Sequence, residues 1–396
     1  MKLILSTVKQ DFLKVHGESP KVVVCAPGRI NLIGEHTDYN DGFVFPAAID
    51  REIYVAIGHR NDQKIMIFSS DLNDHFMANL ANIQPCSKRW ANYVLGVIST
   101  LQQHNYKFGG MNIVFGGDIP LGSGLSSSAA LECATIRAID ELFDLKIPKI
   151  ESIKMTQQAE NQFVGVQCGI MDMFASVMGK SNQAVCLDCR DLTFQYAPFN
   201  FSTHQLLLIN TGVKHSLVDS EYNTRRAECA EGVEILKQVY PNITSLRNVT
   251  LAMVEAVKDQ LFASRDTHTI YKRCAYVCAE NERVEQAAIS LQQADLQTFG
   301  ALMYASHEGL QHQYDVSCEE LDFLVACTHT YNKQHPKAIL GARMMGGGFG
   351  GCTLNLIDAN QVEDFILFAQ NAYGDAFQRI PECTIVAIAD GVRRVL

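Results

Sequence analysis

Apolar residues come in short blocks along the first part of the chain. Val22-Val23-Val24-Cys25-Ala26 reads as a strand stopped by Pro27-Gly28, and Ile53–Ile57 and Lys64–Phe68 read as further strands. A helical spacing takes over at 88–104, 126–143 and 150–164, while Met111–Phe115 is a strand feeding the loop before the second of these helices. Past residue 200 the pattern changes. His204–Asn210 reads as a buried strand, followed by polar helices over 218–240, 248–263, 268–291, 295–313 and 318–333. Ala338–Arg343, Cys352–Ile357, a helix over 360–373 and Cys383–Ile388 then alternate like a split βαβ unit. At the N-terminus, Met1–Val8 starts an amphipathic helix. These elements predict an α+β protein of two domains, residues 1–200 and 201–396, with no long linker, internal repeat or low-complexity stretch between them.

Composition narrows the function. A chain of 396 residues, 47% hydrophobic and 19% charged, can bury more than one ordinary core. Its net charge of -10, without a run of Lys or Arg, argues against a nucleic-acid partner and for a small soluble substrate. Lys9, Asp11 and Lys14 interrupt the N-terminal apolar stretch before a signal-peptide core can form, and no apolar run approaches the roughly 20 residues that span a bilayer, so no membrane is expected. Thirteen cysteines without framework spacing suit a reducing compartment, the cytoplasm. Cys186-x-x-Cys189 lacks a second ligand pair and sits in an alternating, strand-like context, so it reads as structural; Cys274 and Cys278, four apart in a helical pattern, read as packing residues.

Residues 120–135 carry the most information. Pro120-Leu121-Gly122-Ser123-Gly124-Leu125-Ser126-Ser127-Ser128 is a glycine and serine loop that runs straight into a helix-forming segment. Gly122 and Gly124 allow tight turns, Ser126 to Ser128 can cap the helix, and its first N–H groups would face an anion at the positive end of the helix dipole. Nucleotide phosphates are the natural guest. A Walker loop is excluded, because the one Gly-Lys-Ser, Gly179 to Ser181, has Phe174 where the first glycine belongs. A dinucleotide fingerprint fails too, since Ser127 stands where the third glycine is needed. A phosphate loop of another class is left.

A second dense segment follows the first strand: Ala26-Pro27-Gly28-Arg29-Ile30-Asn31-Leu32-Ile33-Gly34-Glu35-His36-Thr37-Asp38-Tyr39-Asn40-Asp41-Gly42. A calcium loop starting at Asp38 would put Gly42 and Ile49 where oxygen ligands are required. Glu35 and Asp38 can instead accept hydrogen bonds from vicinal hydroxyls, with His36 as donor or acceptor. That chemistry suits a sugar. Elsewhere Asp172 is an acid among apolar neighbours, where an unpaired charge is costly. Glu160, by contrast, reads by itself as an ordinary solvated helix carboxylate.

Taken with Gly341-Ala342-Arg343-Met344-Met345-Gly346-Gly347-Gly348-Phe349-Gly350-Gly351, these segments resemble, in order, the three motifs of the GHMP small-molecule kinases. The Gly28–Asp41 segment is similar to that of the members acting on galactose. The resemblance implies a two-domain GHMP kinase fold, with a mixed-sheet N-terminal domain and a ferredoxin-like split βαβ C-terminal domain. It also implies that the γ-phosphoryl of ATP passes to the C1 hydroxyl of D-galactose, in a cleft between the domains. Backbone N–H groups of Gly122, Ser123, Gly124, Leu125, Ser126, Ser127 and Ser128 would hold the β- and γ-phosphates, with Ser128 and Glu160 as Mg2+ ligands. Asp172 matches the catalytic aspartate, with Arg29 beside it as counter-charge. Glu35, His36, Thr37, Asp38, Gly169 and Tyr222 match the sugar contacts, and the glycines at 346–351 would adopt positive φ near the site. Met173 departs from the family, where Gln commonly follows the aspartate. Trp90 fits helix packing or an adenine pocket. Two alternatives stay open: a sibling kinase for N-acetylgalactosamine or arabinose, and a galactose- and ATP-binding sensor without turnover. The resemblance suggests a monomer.

Overall fold

The computed structural model describes residues 3–120, 124–213, 218–263 and 268–396. Helix α1 (Leu3–His16) precedes strands β1 (Val22–Asn31), β2 (Phe43–Val44), β3 (Pro46–His59), β4 (Lys64–Ser69) and β5 (Asp74–Asn79). Next come α2 (Arg89–Gln103), β6 (Met111–Gly117), α3 (Ser127–Phe143), α4 (Lys149–Gln158) and α5 (Met171–Met178), then β7 (Gln183–Asp188), β8 (Phe194–Pro198) and β9 (His204–Asn210). Helices α6 (Val218–Lys237), α7 (Leu251–Ala256), α8 (Lys258–Ala263), α9 (Thr269–Gln292), α10 (Leu296–His312) and α11 (Glu319–Asn332) follow. The described chain closes with β10 (Ile339–Met344), β11 (Cys352–Asp358), α12 (Val362–Phe377), β12 (Glu382–Val386) and β13 (Arg393–Arg394).

The first sheet has the order β13-β1-β3-β6-β4-β5 and is mixed: β4 and β6 run parallel, and the other neighbours antiparallel. Its central strands are covered on both faces. Val22, Val24 and Ala26 join the core shared with α2, α3 and α5, whereas Val23 and Cys25 pack with Val8 and Phe12 of α1. This explains why the sequence shows an unbroken apolar block in place of an alternation of apolar and polar residues. Strands β2, β7 and β8 form a small second sheet. The third sheet, β10-β11-β9-β12, is antiparallel throughout, and its order is that of a ferredoxin-like split βαβ unit.

Three departures from the sequence pattern matter for the site. Strand β1 does not stop at Pro27-Gly28; it shifts register between Pro27 and Arg29 and continues to Asn31. Pairing resumes because Gly28 lets the strand touch the phosphate loop. A Cβ at Gly28 would lie 2.7 Å from the Leu125 carbonyl oxygen, and the Arg29 N–H donates to that same oxygen at 3.1 Å. The helix expected over 150–164 is α-helical only to Gln158 and becomes a π-helical turn over Ala159–Val164, ended by Gly165 at φ +89°. Such turns recur at functional sites, and this one carries Glu160. The segment 248–263 is two helices, α7 and α8, with Val257 between them in a non-helical conformation. Cys186 lies in β7, Cys274 and Cys278 are buried on α9, and every cysteine is a free thiol.

Candidate active site

One cavity of about 300 Å³ collects residues from all three motifs. Arg29 enters from the resumed end of β1, and Asp172 from the first turn of α5. Arg29 Nε donates to Asp172 Oδ1 at 2.7 Å, and its Nη1 donates to the Gly124 carbonyl. Burial alone would lower the guanidinium's pKa, but the charges of Asp172, Glu35 and Asp38 outweigh it and raise the value.

Ser126 stands at the start of α3 in the left-handed conformation, φ 57° and ψ 51°. Its hydroxyl does not cap the helix, contrary to the expectation for Ser126. It donates to Asp172 Oδ2 at 2.6 Å, so the carboxylate is gripped on both oxygens. The unusual backbone state is what turns this side chain away from the helix and toward the aspartate. Helix α3 therefore opens with its first-turn N–H groups free of that hydroxyl. Leu125 is buried, and its carbonyl oxygen holds β1. Ser127 starts the helix without lining the cavity, and Gly122 and Ser123 lie outside the described residues.

Glu160 and Ser128 meet on the cavity wall. Burial, and then the charge of Asp172, pushes Glu160 up to about 7. Behind it, Glu132 on α3 is fully buried and held well above the usual carboxylate range by burial and by Glu160. The concentration of Glu160, Glu132 and Asp172 is a site where a cation would relieve excess negative charge, and hydroxyl and carboxylate oxygens suit a hard divalent ion. Among the described residues no group of three or more His, Cys, Asp and Glu could hold a metal. A cation here would have to take its remaining ligands from water and substrate oxygens.

The opposite wall comes from the loop after β1 and from α6. Glu35, 2% exposed, accepts from the Gly346 N–H at 2.9 Å and from Arg343 Nη1 at 3.2 Å, both on Oε1. Asp38 is half-buried and pushed up to about 7, by burial first and by the charge of Asp172 next. Gly169 makes room for it: a Cβ there would sit 1.8 Å from Asp38 Oδ2. His36 is buried at φ 62°, and burial, aided by Arg225, Arg343 and Arg273, lowers its pKa to about 3. The neutral ring can donate only one N–H, and the Gly347 carbonyl, 3.2 Å from Nε2, can only accept it. Nδ1 therefore accepts from the Tyr39 hydroxyl at 2.8 Å, which in turn is bonded to Tyr314 at 2.8 Å. With both nitrogens engaged, His36 offers the cavity its ring edge and face.

Tyr222 on α6 lies over that ring, with centroids 5.4 Å apart, and lines the same cavity. Thr37 does not line it. Its hydroxyl points at the carbonyls of Gly34, 2.9 Å, and Phe43, 2.6 Å, and so fixes the loop's turn. Gly346 and Gly347 reach the cavity, and Gly346, Gly348, Gly350 and Gly351 all have positive φ. At Gly348 a Cβ would come within 2.1 Å of the Val316 carbonyl oxygen. Met173 faces the core and is fully buried. Trp90 donates to Asp74 at 3.2 Å and packs on Phe115, outside the cavity.

Sequence reasoning passed over Cys168, Asn161 and Arg343. Asn161 Oδ1 accepts the Cys168 N–H at 2.9 Å, and Cys168 Sγ lies 3.5 Å from Glu160 Oε2, so the pair braces the π turn. Nothing in a helical pattern marks such a turn. Arg343 stands inside the third motif, where the glycines around it carry the sequence signal.

Three family models match the chain: the galactokinase galactose-binding signature over residues 10–59, the GHMP kinases N terminal domain over 92–180 and the GHMP kinases C terminal over 287–375. The galactokinase of Clostridium acetobutylicum is 39% identical over 99% of both chains. That of Roseiflexus sp. is 40% identical over 98% of this chain and 97% of its own. The crystal structure of Lactococcus lactis galactokinase complexed with galactose superposes with a TM-score of 0.91 at 33% identity, covering 98% of this chain and 99% of that one. Methanococcus jannaschii mevalonate kinase, at TM-score 0.62 and 18% identity, shares the fold. With its mixed and ferredoxin-like sheets, its three motifs converging on one cavity and full-length relatives at this level of identity, the chain belongs to the galactokinases of the GHMP kinase family.

Proposed function

We propose that the protein transfers the γ-phosphoryl of MgATP to the C1 hydroxyl of α-D-galactose, giving α-D-galactose 1-phosphate and ADP. The observation that carries this reading is the double grip on Asp172, by Arg29 from the sugar-motif strand and by Ser126 from the phosphate loop. On this reading one carboxylate stands between the side chains that take the sugar hydroxyls and the helix end that takes the phosphates, all of which line one cavity where described. In this reading Asp172 orients the C1 hydroxyl and takes its proton as the sugar oxygen bonds to the γ-phosphorus and the bond to the ADP oxygen breaks. Arg29 offsets charge on the transferring group, and the backbone N–H groups of 122–128 hold the β- and γ-phosphates. Ser128 and Glu160 would hold Mg2+, which when bound supplies charge neutralisation to the phosphates. Glu35 and Asp38 accept sugar hydroxyls, and His36, Gly169 and Tyr222 shape the pocket.

The thirteen free thiols fit a reducing cytoplasm. Among the described residues no helix is long and apolar enough to cross a membrane. We take the working unit to be a monomer, because the cavity is assembled within one chain. The test is ADP release from MgATP with galactose, glucose, N-acetylgalactosamine, arabinose and mevalonate supplied in turn. Turnover should be largest with galactose. A preference for another sugar would reassign the hydroxyl wall, and saturable galactose binding without ADP would mark a sensor.

A further inference from the structure

Four carboxylates, Glu35, Asp38, Glu160 and Asp172, line the cavity, and the arginine among its lining residues, Arg29, is bonded to Asp172. The cation hydrogen-bonded to Glu35 comes from outside the cavity. Arg343, at the end of β10, is 0% exposed and has one of the largest fully buried side chains in the protein. Its Nη1 reaches the Asn31 carbonyl at 2.8 Å and Glu35 Oε1 at 3.2 Å, so it ties the third motif to the first at two points. Among the described residues, Arg343 Nε and Nη2 are buried without a hydrogen-bond partner. Leaving them so is costly, and the cost is offset by the charge that Arg343 brings to buried Glu35 and to buried Glu280 on α9. The bonds to the Glu35 carboxylate fall on Oε1, from Arg343 and from Gly346 N–H.

We propose that Arg343 is a positioning residue for sugar recognition: it holds Glu35 by one oxygen, so that the other faces the sugar, and makes that orientation depend on the glycine run that follows β10. The inference rests on the reading of Glu35 as a sugar ligand. Both bonds leave one nitrogen, Nη1, at the tip of the guanidinium; Lys at this position keeps the charge, but its ammonium ends one bond short of that point and is not held in a plane.

The experiment measures galactose Kd, galactose KM, MgATP KM and kcat for Arg343→Lys, Glu35→Gln and the double variant, with thermal melting to verify folding. Arg343→Lys should weaken galactose about tenfold or more while MgATP KM and kcat stay within about threefold, and in the Glu35→Gln background its effect on galactose should vanish. If the two substitutions are additive, or if both KM values rise together, Arg343 supports the fold generally and the proposal falls. If Glu35→Gln leaves galactose binding unchanged, Glu35 is not a sugar ligand, and the proposal fails with that assignment although galactose turnover persists. Should Arg343→Lys not fold, Arg343→Gln, which keeps a donor toward the Asn31 carbonyl, goes through the same comparison. Failure of both to fold in either background assigns Arg343 to the fold and overturns the proposal.

Discussion

Gly169 and Asp38 occupy each other's space, and that makes the smallest substitution in the site one of the most informative. Because a Cβ at Gly169 would meet Asp38 Oδ2 at 1.8 Å, Gly169→Ala must displace the carboxylate or the loop that carries it. Galactose KM should rise by about tenfold or more with MgATP KM unchanged, which steady-state kinetics in both substrates would read. Asp38 also predicts a pH dependence. Its folded pKa lies near 7, raised from 3.8, so the group is neutral below that pH and ionised above it. A sugar hydroxyl donating to the ionised form draws a proton off on binding, so galactose affinity should strengthen as pH rises from 6 through 7 and level off about one unit above the folded pKa. Titration calorimetry across that range should show this slope in the wild type and none in Asp38→Asn; a flat wild-type profile would count against the assignment. Much of this site is legible in the sequence as residue types in dense segments. What the sequence does not carry is orientation. Ser126 reads as a helix cap and serves as a second anchor for Asp172, His36 reads as a hydroxyl partner and spends both nitrogens inside the protein, and Thr37 turns its hydroxyl to the loop.

Elements with strong periodicity, such as β9, α9 and α10, fall where the sequence pattern puts them, within a residue or two. Those that deviate do so where a tertiary contact overrides the local signal. Pro27-Gly28 is a strong strand stop by itself, yet β1 resumes after it because Gly28 allows contact with the Leu125 carbonyl and because Arg29 N–H then bonds to that oxygen. The α4 helix loosens into a π turn that faces Glu160 toward Ser128, a shift of hydrogen-bond register that side-chain spacing does not encode. The β1 irregularity gives the prediction at this scale. Gly28→Ala places a Cβ 2.7 Å from backbone that cannot swing aside, so strand and phosphate loop must part. Since Arg29 and Ser126 lie on the two sides of that contact, kcat should fall by about tenfold or more, with a drop in melting temperature. Unchanged kcat in a folded Gly28→Ala protein would show that this contact does not set the geometry of Asp172.

Across the whole molecule, the loop after β1 is fixed from the far half of the chain. Glu280 on α9, fully buried, accepts the Gly34 N–H at 2.8 Å, the Ser306 hydroxyl at 2.6 Å and Arg283 Nε at 2.6 Å. Burial opposes its charge, but Arg283 and Arg343 prevail and hold its pKa below the ordinary 4.5. A depressed folded pKa means that the carboxylate stabilises the fold above 4.5, and that this contribution is lost as pH falls through the folded value. Glu280→Gln should therefore cost about 3–5 kcal/mol in denaturant unfolding at neutral pH and flatten the acid limb of the stability profile, because it leaves Arg283 without its ionic partner at a largely buried site. No local pattern on α9 announces this, since a carboxylate in a polar helix reads as solvated until the partner from the loop after β1 is known. The account as a whole turns on Asp172. Formation of galactose 1-phosphate from MgATP and galactose, followed for the wild type and for Asp172→Asn with galactose binding measured on the same samples, tests it most directly. The account predicts turnover in the wild type and a loss of about 10²-fold or more in kcat in the variant, with galactose still bound. A variant that turns over at the wild-type rate, or a wild type that binds galactose and forms no product, would contradict it.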